Sequence, residues 1–176
     1  MSDIRKPLLP QREGSSHSTP GARRHLHDAY TLDERIGGGA DGRVCRGIAR
    51  NGPAEGEAHA IKRFRLNAYD PEMEMRVLAA VQPHPHIMEL LDVYRDGLSV
   101  AFAAPESDMN LREFMARRPR GLAATQAWEF NRQILEGVQH LHKLRVVHRD
   151  LKQANILLRM ELNGLNLLLA DFSRAR

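Results

Sequence analysis

The apolar positions change their rhythm along this chain, from short runs with partial alternation to residues recurring at helical spacing, and the change predicts two structural halves. Residues 32–36, 43–48 and 59–64 read as strands, separated by Gly37-Gly38-Gly39 and by Asn51-Gly52-Pro53, which makes a three-stranded antiparallel start. Asp70-Pro71 then offers an N-cap followed by proline at the first helical position, where a missing N–H costs nothing. Glu74, Val77, Leu78 and Val81 share one face of the helix that follows, until Pro83 and Pro85 stop it. Two further strands are expected over 87–93 and 98–102, joined around Asp96-Gly97. Beyond Phe102 the pattern is helical. Asn110 with Glu113 three residues later caps a short helix ending near Pro119, and Ala127, Phe130, Ile134, Val138 and Leu141 line a longer helix starting near Thr125. Residues 156–158 and 167–170 close the chain as a hairpin turning at Asn163-Gly164. The prediction is an α+β arrangement of two lobes: five antiparallel strands with one helix, a linker from Ala103 to Ser107, then helices and a small hairpin. A ligand is expected in the cleft between the lobes.

Residues 1–28 stand apart. Pro7, Pro10, Pro20 and four serines interrupt any apolar pattern, so this stretch cannot bury enough surface to offset the entropy of ordering and is expected to be a disordered tail. Its five basic residues against three acidic ones carry +2 of the chain's net +4. That charge forms no long run and has no aromatic residues interleaved, which argues against nucleic acid as a partner. No apolar stretch approaches the roughly 20 residues that span a bilayer, and residues 1–19 lack a secretory signal's apolar block, so no membrane partner is expected. Cys45 is the one cysteine; it excludes an internal disulfide framework and fits a reducing compartment, with cytoplasm or nucleus as the expectation.

The chemistry concentrates in His148-Arg149-Asp150-Leu151-Lys152-Gln153-Ala154-Asn155. One loop there holds a base, a cation and a metal-binding amide, a combination suited to phosphoryl transfer: an Asp can take a hydroxyl proton, a Lys can neutralise a phosphoryl group, and an Asn can offer oxygen to Mg²⁺. Farther up the chain, Lys62 ends a strand and Glu74 lies on the inward face of the next helix. A buried carboxylate without a partner costs several kcal/mol, so a Lys62–Glu74 pair is predicted, in preference to Glu72 on the opposite face. Gly37, Gly39 and Gly42 precede Val44 in a spacing that fits either a phosphate cradle or a glycine-rich hairpin turn. Because a strand follows, a dinucleotide-binding turn is disfavoured. His84-Pro85-His86 and His140-Leu141-His142 are read as structural histidines rather than metal ligands.

The H-R-D-L-K-x-x-N run resembles the catalytic loop of eukaryotic protein kinases, and lysine at position 152 is the serine/threonine pattern. From Tyr30 to Arg176 the chain is similar to that family's two-lobed fold, which would place the tail at 1–28, the upper lobe at 29–102, a hinge at 103–107 and a partial, mostly helical lower lobe at 108–176. Glu89-Leu90-Leu91-Asp92-Val93 and Glu106-Ser107-Asp108 resemble the cyclin-dependent branch, which adds a cyclin-like activator to the implied partners, although the helix with Glu74 lacks that branch's cyclin-binding sequence. The resemblance implies ATP and Mg²⁺ as cofactors and a protein serine or threonine as substrate. It implies catalytic roles for Asp150 and Lys152, with Lys62, held by Glu74, on the α- and β-phosphates. Asn155 and Asp171 would bind Mg²⁺, the latter from an Asp171-Phe172-Ser173 run in the place of D-F-G. Gly37, Gly39 and Gly42 would cover the phosphates; Val44, Ala60 and Leu157 would sandwich the base, with Phe102 behind it and Ala103 beside it in the linker.

Three departures qualify the likeness. Only twelve residues separate Lys62 from Glu74, which implies a tight strand-to-helix connection. Pro105 falls where the family offers a backbone N–H to adenine, so one hydrogen bond worth on the order of 1 kcal/mol is expected to be missing. Ser173 replaces a glycine suited to positive φ, and altered loop switching is expected there. Because Arg176 lies three residues after Ser173, the chain is expected to be a fragment or truncated form of a serine/threonine kinase, with little peptide phosphorylation on its own and a tendency to associate. The alternative is a catalytically impaired nucleotide-binding or regulatory pseudokinase-like module.

Overall fold

In the computed structural model the described residues are 25–39, 42–65, 70–96, 99–162 and 164–176. Residues 1–24 of the tail expected over 1–28, together with Ala40, Asp41, Gly97 and Asn163 of the expected turns and Leu98 of an expected strand, lie outside them. The chain enters through a helical turn, α1 (Leu26–Ala29), followed by β1 (Tyr30–Gly38), β2 (Gly42–Ala49) and β3 (Ala58–Phe64). The helix α2 (Pro71–Ala80) leads to β4 (Asp92–Asp96) and β5 (Ser99–Pro105). Among the described residues these five strands form one antiparallel sheet, ordered β1-β2-β3-β5-β4. Then come β6 (Met109–Asn110), α3 (Leu111–Ala116) and α4 (Ala124–Lys143); a 3-10 turn at Gln153–Asn155 precedes β7 (Ile156–Glu161) and β8 (Gly164–Leu169). The second sheet has the order β6-β7-β8.

Local chemistry accounts for the starts of α2 and α3. The Asp70 side chain accepts from the N–H groups of Glu72 and Met73, with Pro71 at the first position, so two orphan donors are satisfied. At α3, Asn110 and Glu113 form the predicted reciprocal capping box. The inward stripe of α2 buries Met75, Leu78 and Val81 in a cluster that includes Phe102 from the upper sheet and Phe130, Leu158, Leu169 and Phe172 from below. One core therefore runs through both halves. The other face of the upper sheet has its own cluster, with Leu26, Tyr30, Ile61, Tyr94 and Ala103.

Several expectations are corrected. The tail does not extend to residue 28, because Leu26 is buried against Tyr30 and its neighbours and α1 is ordered by that contact. The strand expected over 87–93 begins only at Asp92; Ile87 makes a single parallel bridge to Leu169, and Met88 donates to the Leu169 carbonyl. Ile87 and Met88 are buried because this segment lies between the two sheets, so its apolar residues, interrupted by Glu89, mark a core crossing rather than a strand. β5 continues through Pro105, so the linker starts later than Ala103. No helix among the described residues is long and apolar enough to cross a membrane.

Candidate functional site

Lys62 lies between Val44 on β2 and Phe102 on β5 in the strand ladder, which aims its side chain under the sheet toward α2. Its Nζ donates to Glu74 Oε1 at 2.7 Å and Oε2 at 2.9 Å, and also to Asp171 Oδ1 at 3.1 Å. The Glu74 side chain is only 1% exposed. Burial opposes the charge on Lys62, but the Glu74 and Asp171 carboxylates outweigh it and hold the ammonium above its ordinary range. Burial likewise opposes ionisation of Asp171, and Lys62 overcomes it, so that carboxyl is held below its ordinary value. The predicted pair thus exists despite the twelve-residue spacing. Glu72, two residues earlier, takes Arg95 instead, at 2.8 Å to each oxygen.

Below the cleft, Asp150 Oδ2 accepts from Lys152 Nζ at 2.7 Å and from Asn155 Nδ2 at 3.0 Å. Asn155 Nδ2 also reaches the Asp150 carbonyl at 2.9 Å, which folds the loop back on itself. Hydrogen bonds, first from Lys152, hold the Asp150 carboxyl below its usual range, so it is ionised near neutrality. His148 is 2% exposed and donates from Nε2 to the Ala170 carbonyl at 3.0 Å, while its Nδ1 accepts from the Asp150 N–H at 3.4 Å. A carbonyl on one side and an N–H on the other select the neutral ring with its proton on Nε2. Burial also pushes this imidazole's pKa down. His148 therefore ties the Asp150 loop to the strand end that carries Asp171.

The expected strain at position 173 falls elsewhere. Among the described non-glycine residues, positive φ occurs at Arg145 (60°), Arg149 (61°) and Asp171 (64°), and not at Ser173. The left-handed turn is taken by the carboxylate residue itself, a conformation Asp tolerates better than most side chains do. Ser173 instead gives Asp171 a hydrogen bond that also lowers its pKa. Arg149 Nε donates to the Arg174 carbonyl at 2.6 Å.

These groups converge on one cleft of about 600 Å³, within the range of small-molecule sites. Gly37, Gly39, Gly42, Val44, Ala60, Lys62, Glu74 and Phe102 line it from the upper half, and Asp150, Lys152, Asn155, Leu157 and Asp171 from the lower. Ala103 does not line it. Strand side chains alternate between faces, so Ala103 joins Ile61 in the opposite cluster, fully buried, and Ala104 takes the cleft position next to Phe102. That alternation was the signal for Ala104; Met88 and Met109, also in the cleft wall, carried no such signal. A larger surface concavity of about 1080 Å³ follows the outer face of α4 around Trp128 and Leu135, and contains none of the chemistry-bearing residues.

The glycines divide into two roles. A Cβ at Gly42 would lie 2.4 Å from the Arg63 carbonyl oxygen, and one at Gly38 (φ +137°) 2.7 Å from the Gly42 oxygen, so the hairpin itself demands those two. Among the described residues, a Cβ at Gly39 would meet nothing within 4 Å, and at Gly37 only Val44 at 3.8 Å. Hairpin packing does not explain these two; open space beside the cleft does suit a bound phosphate.

The donor chemistry fits a hard cation. Asp171 offers carboxylate oxygen, and Asn155, with its nitrogen engaged by Asp150, has its amide oxygen left to offer. Among the described residues no group of three or more His, Cys, Asp or Glu could hold a metal. Two oxygen ligands suit Mg²⁺, which keeps waters and shares phosphate oxygens rather than entering an all-protein cage.

Residues 30–176 match the family described as the protein kinase domain. The chain is 33% identical over 154 residues to the cell division control protein 2 homolog 3 of Trypanosoma brucei brucei, covering 85% of this chain and 48% of that protein. It is 32% identical over 165 residues to the NUAK family SNF1-like kinase 1 of Mus musculus, covering 86% of this chain and 24% of the relative. Similarity to the human NUAK family SNF1-like kinase 2 is 31% over 175 residues, covering 95% and 26%. The chain thus spans about half the length of the first of these relatives and about a quarter of the others.

Proposed function

Because the chain belongs to the protein kinase family, we propose that it carries the ATP-binding and phosphoryl-transfer machinery of a serine/threonine kinase, acting on a hydroxyl of a protein substrate. One observation carries the reading: Lys62, Glu74 and Asp171 meet Asp150, Lys152 and Asn155 around a single cleft. Bound MgATP would supply the phosphoryl group and the cation that neutralises its charge. Lys62, kept charged by Glu74, would hold phosphate oxygens, and Asp171 and Asn155 would hold the metal. Asp150 would accept the substrate hydroxyl's proton as that oxygen bonds the phosphorus and the bond to the departing ADP oxygen breaks, while Lys152 would move from the Asp150 carboxylate to the transferred phosphate. The apolar walls of Val44, Ala60, Ala104 and Leu157 exclude water from the base. The upper lobe is best taken as ending with β5, and the single cysteine supports a cytoplasmic or nuclear setting.

A second reading, a nucleotide-binding module with impaired catalysis, is favoured by Pro105, which lines the cleft and has no N–H to give the base. One experiment separates them. The 176-residue chain is assayed for a MgATP-induced rise in thermal midpoint and for phosphate transfer to a serine-rich protein. Binding that is lost in Lys62→Met, with weak but detectable transfer that is lost in Asp150→Asn, is the expected result. Binding without any transfer selects the module, and a thermal shift indifferent to Lys62→Met overturns both.

A further inference from the structure

Glu72 and Glu74 are two residues apart on α2, hence roughly 200° apart around its axis, so their carboxylates leave opposite sides of the helix. Glu74 reaches inward to Lys62, and Glu72 reaches β4 at the edge of the sheet, where Arg95 grips both its oxygens at 2.8 Å. A rotation of α2 that withdraws Glu74 from Lys62 must therefore pull Glu72 off Arg95. The far end of the helix is fixed separately: His140 Nε2 on α4 donates to the Val81 carbonyl at 2.9 Å, and Gln82 joins the Leu78 carbonyl to the Leu90 N–H at 2.9 and 3.0 Å. With its end pinned, the remaining freedom of α2 is in its first turns, where both glutamates lie.

We propose that the Glu72–Arg95 fork is a clamp on the rotation of α2, which keeps Glu74 on Lys62. Both are positioning residues, because neither touches the reacting groups. Bidentate geometry matters here. A guanidinium held by two parallel bonds fixes an orientation as well as a distance, which a single lysine contact does not. Glu72 also suits the positive end of the helix dipole, and its carboxyl is held below the ordinary range, first by the bonds from Arg95. Asp70, the neighbouring acid, does not compete for Arg95. It caps the helix and lies 3.6 Å from Arg76.

The test reads Lys62 directly, without nucleotide, so it stands apart from the proposed function on which its consequence rests. Lys62 acylation by an amine-directed ester is quantified by peptide mass spectrometry in the full chain at fixed pH. Glu74→Gln sets the rate of a Lys62 whose remaining carboxylate partner is Asp171. Arg95→Ala is expected to raise labelling about two- to fivefold, the range for loss of a well-formed surface pair, and to weaken MgATP binding by the same factor. The exchanged double variant Glu72→Arg/Arg95→Glu is expected to return labelling toward the original rate. Arg132→Ala, which breaks a comparable exposed cluster on α4, is expected to leave it unchanged. The clamp is overturned if Arg95→Ala labels at the original rate, if the exchange fails to restore it in a folded protein, if Arg132→Ala has the same effect, or if Glu74→Gln itself changes nothing. An original chain that binds no MgATP would defeat the functional reading and leave the labelling result standing.

Discussion

Two lysine–carboxylate pairs face one another across the cleft with the same 2.7 Å separation, yet they are built for different work. The side chains of Lys62 and Glu74 are 15% and 1% exposed, whereas those of Lys152 and Asp150 are 53% and 20% exposed. Length alone says nothing about strength. Removing one partner of a buried pair strands a charge in low dielectric and costs roughly 3–5 kcal/mol, while an exposed pair is worth about 0–1 kcal/mol. Under the proposed function the upper pair is scaffold that a bound nucleotide would leave intact. The lower pair can be exchanged, because Asp150 can give up Lys152 for a hydroxyl, and Lys152 can take a phosphate, at little cost.

The sharpest break in that contrast is Lys62→Met. It removes the ammonium to which Glu74 and Asp171 both bond, and the expected loss in urea unfolding free energy is about 3 kcal/mol. A loss under about 1 kcal/mol would mean that the upper pair is no more structural than the lower one. Next comes the glycine turn above the cleft. Gly42→Ala drives a Cβ toward a backbone oxygen and is expected to cost about 1–3 kcal/mol. Gly39→Ala should stay within about 0.5 kcal/mol because its Cβ meets open space. If the space beside Gly39 receives phosphate, this second variant lowers MgATP affinity while the thermal midpoint stays put, a dissociation that calorimetry alongside titration would show.

The same distinction between local and assembled features decides what was legible in the chain. Asp70-Pro71 and Asn110 with Glu113 act within four residues, and both helix starts follow from them. Glu74 was readable because a carboxylate on an apolar stripe demands a cation, and Lys62 lay on the adjoining strand. The loop around Asp150 was recognisable as a unit. By contrast, the mostly apolar stretch 87–93 reads as a strand in isolation; only the presence of β8 turns its first part into a crossing between sheets. Ala103 was placed in the site as part of a linker, and that failed once β5 proved to continue and its alternation sent the side chain to the other face. Leu26 could not be separated from the tail because its burial depends on Tyr30 and Ala49, which the sheet brings to it. The left-handed residue near position 173 depends in the same way on how Asp171 must turn to meet Lys62.

Protonation gives a gentler test of the lower half. His148 and His84 both have pKa values pushed down, in each case first by burial, His84 also by His140 and His86. A folded-state value below the unfolded one, about 6.5, means that the unfolded chain takes up protons first as pH falls. Their contribution is complete above about pH 6.5 and declines as pH drops toward the folded values. Urea midpoints measured from pH 7.5 to 5 should therefore fall, and the slope should flatten in His148→Gln. An unchanged slope would remove His148 as the neutral tie between the Asp150 loop and Ala170.

Asp150→Asn is expected to disturb the fold least, and it bears most directly on the contrast between the pairs. The amide keeps the shape of the side chain, and the Lys152 contact it weakens is open to solvent, so the unfolding free energy should move by no more than about 0.5 kcal/mol. MgATP binding should persist, because Lys62 and Asp171 are untouched. Phosphate transfer, however, would lose the proposed acceptor of the hydroxyl proton, and a positioned base of this kind contributes about 10²–10⁴-fold. Stability and binding measured beside single-turnover transfer should thus separate cleanly. A variant that transfers phosphate at the original rate would assign the proton to another acceptor, whereas one that unfolds would show that the exposed pair is structural after all.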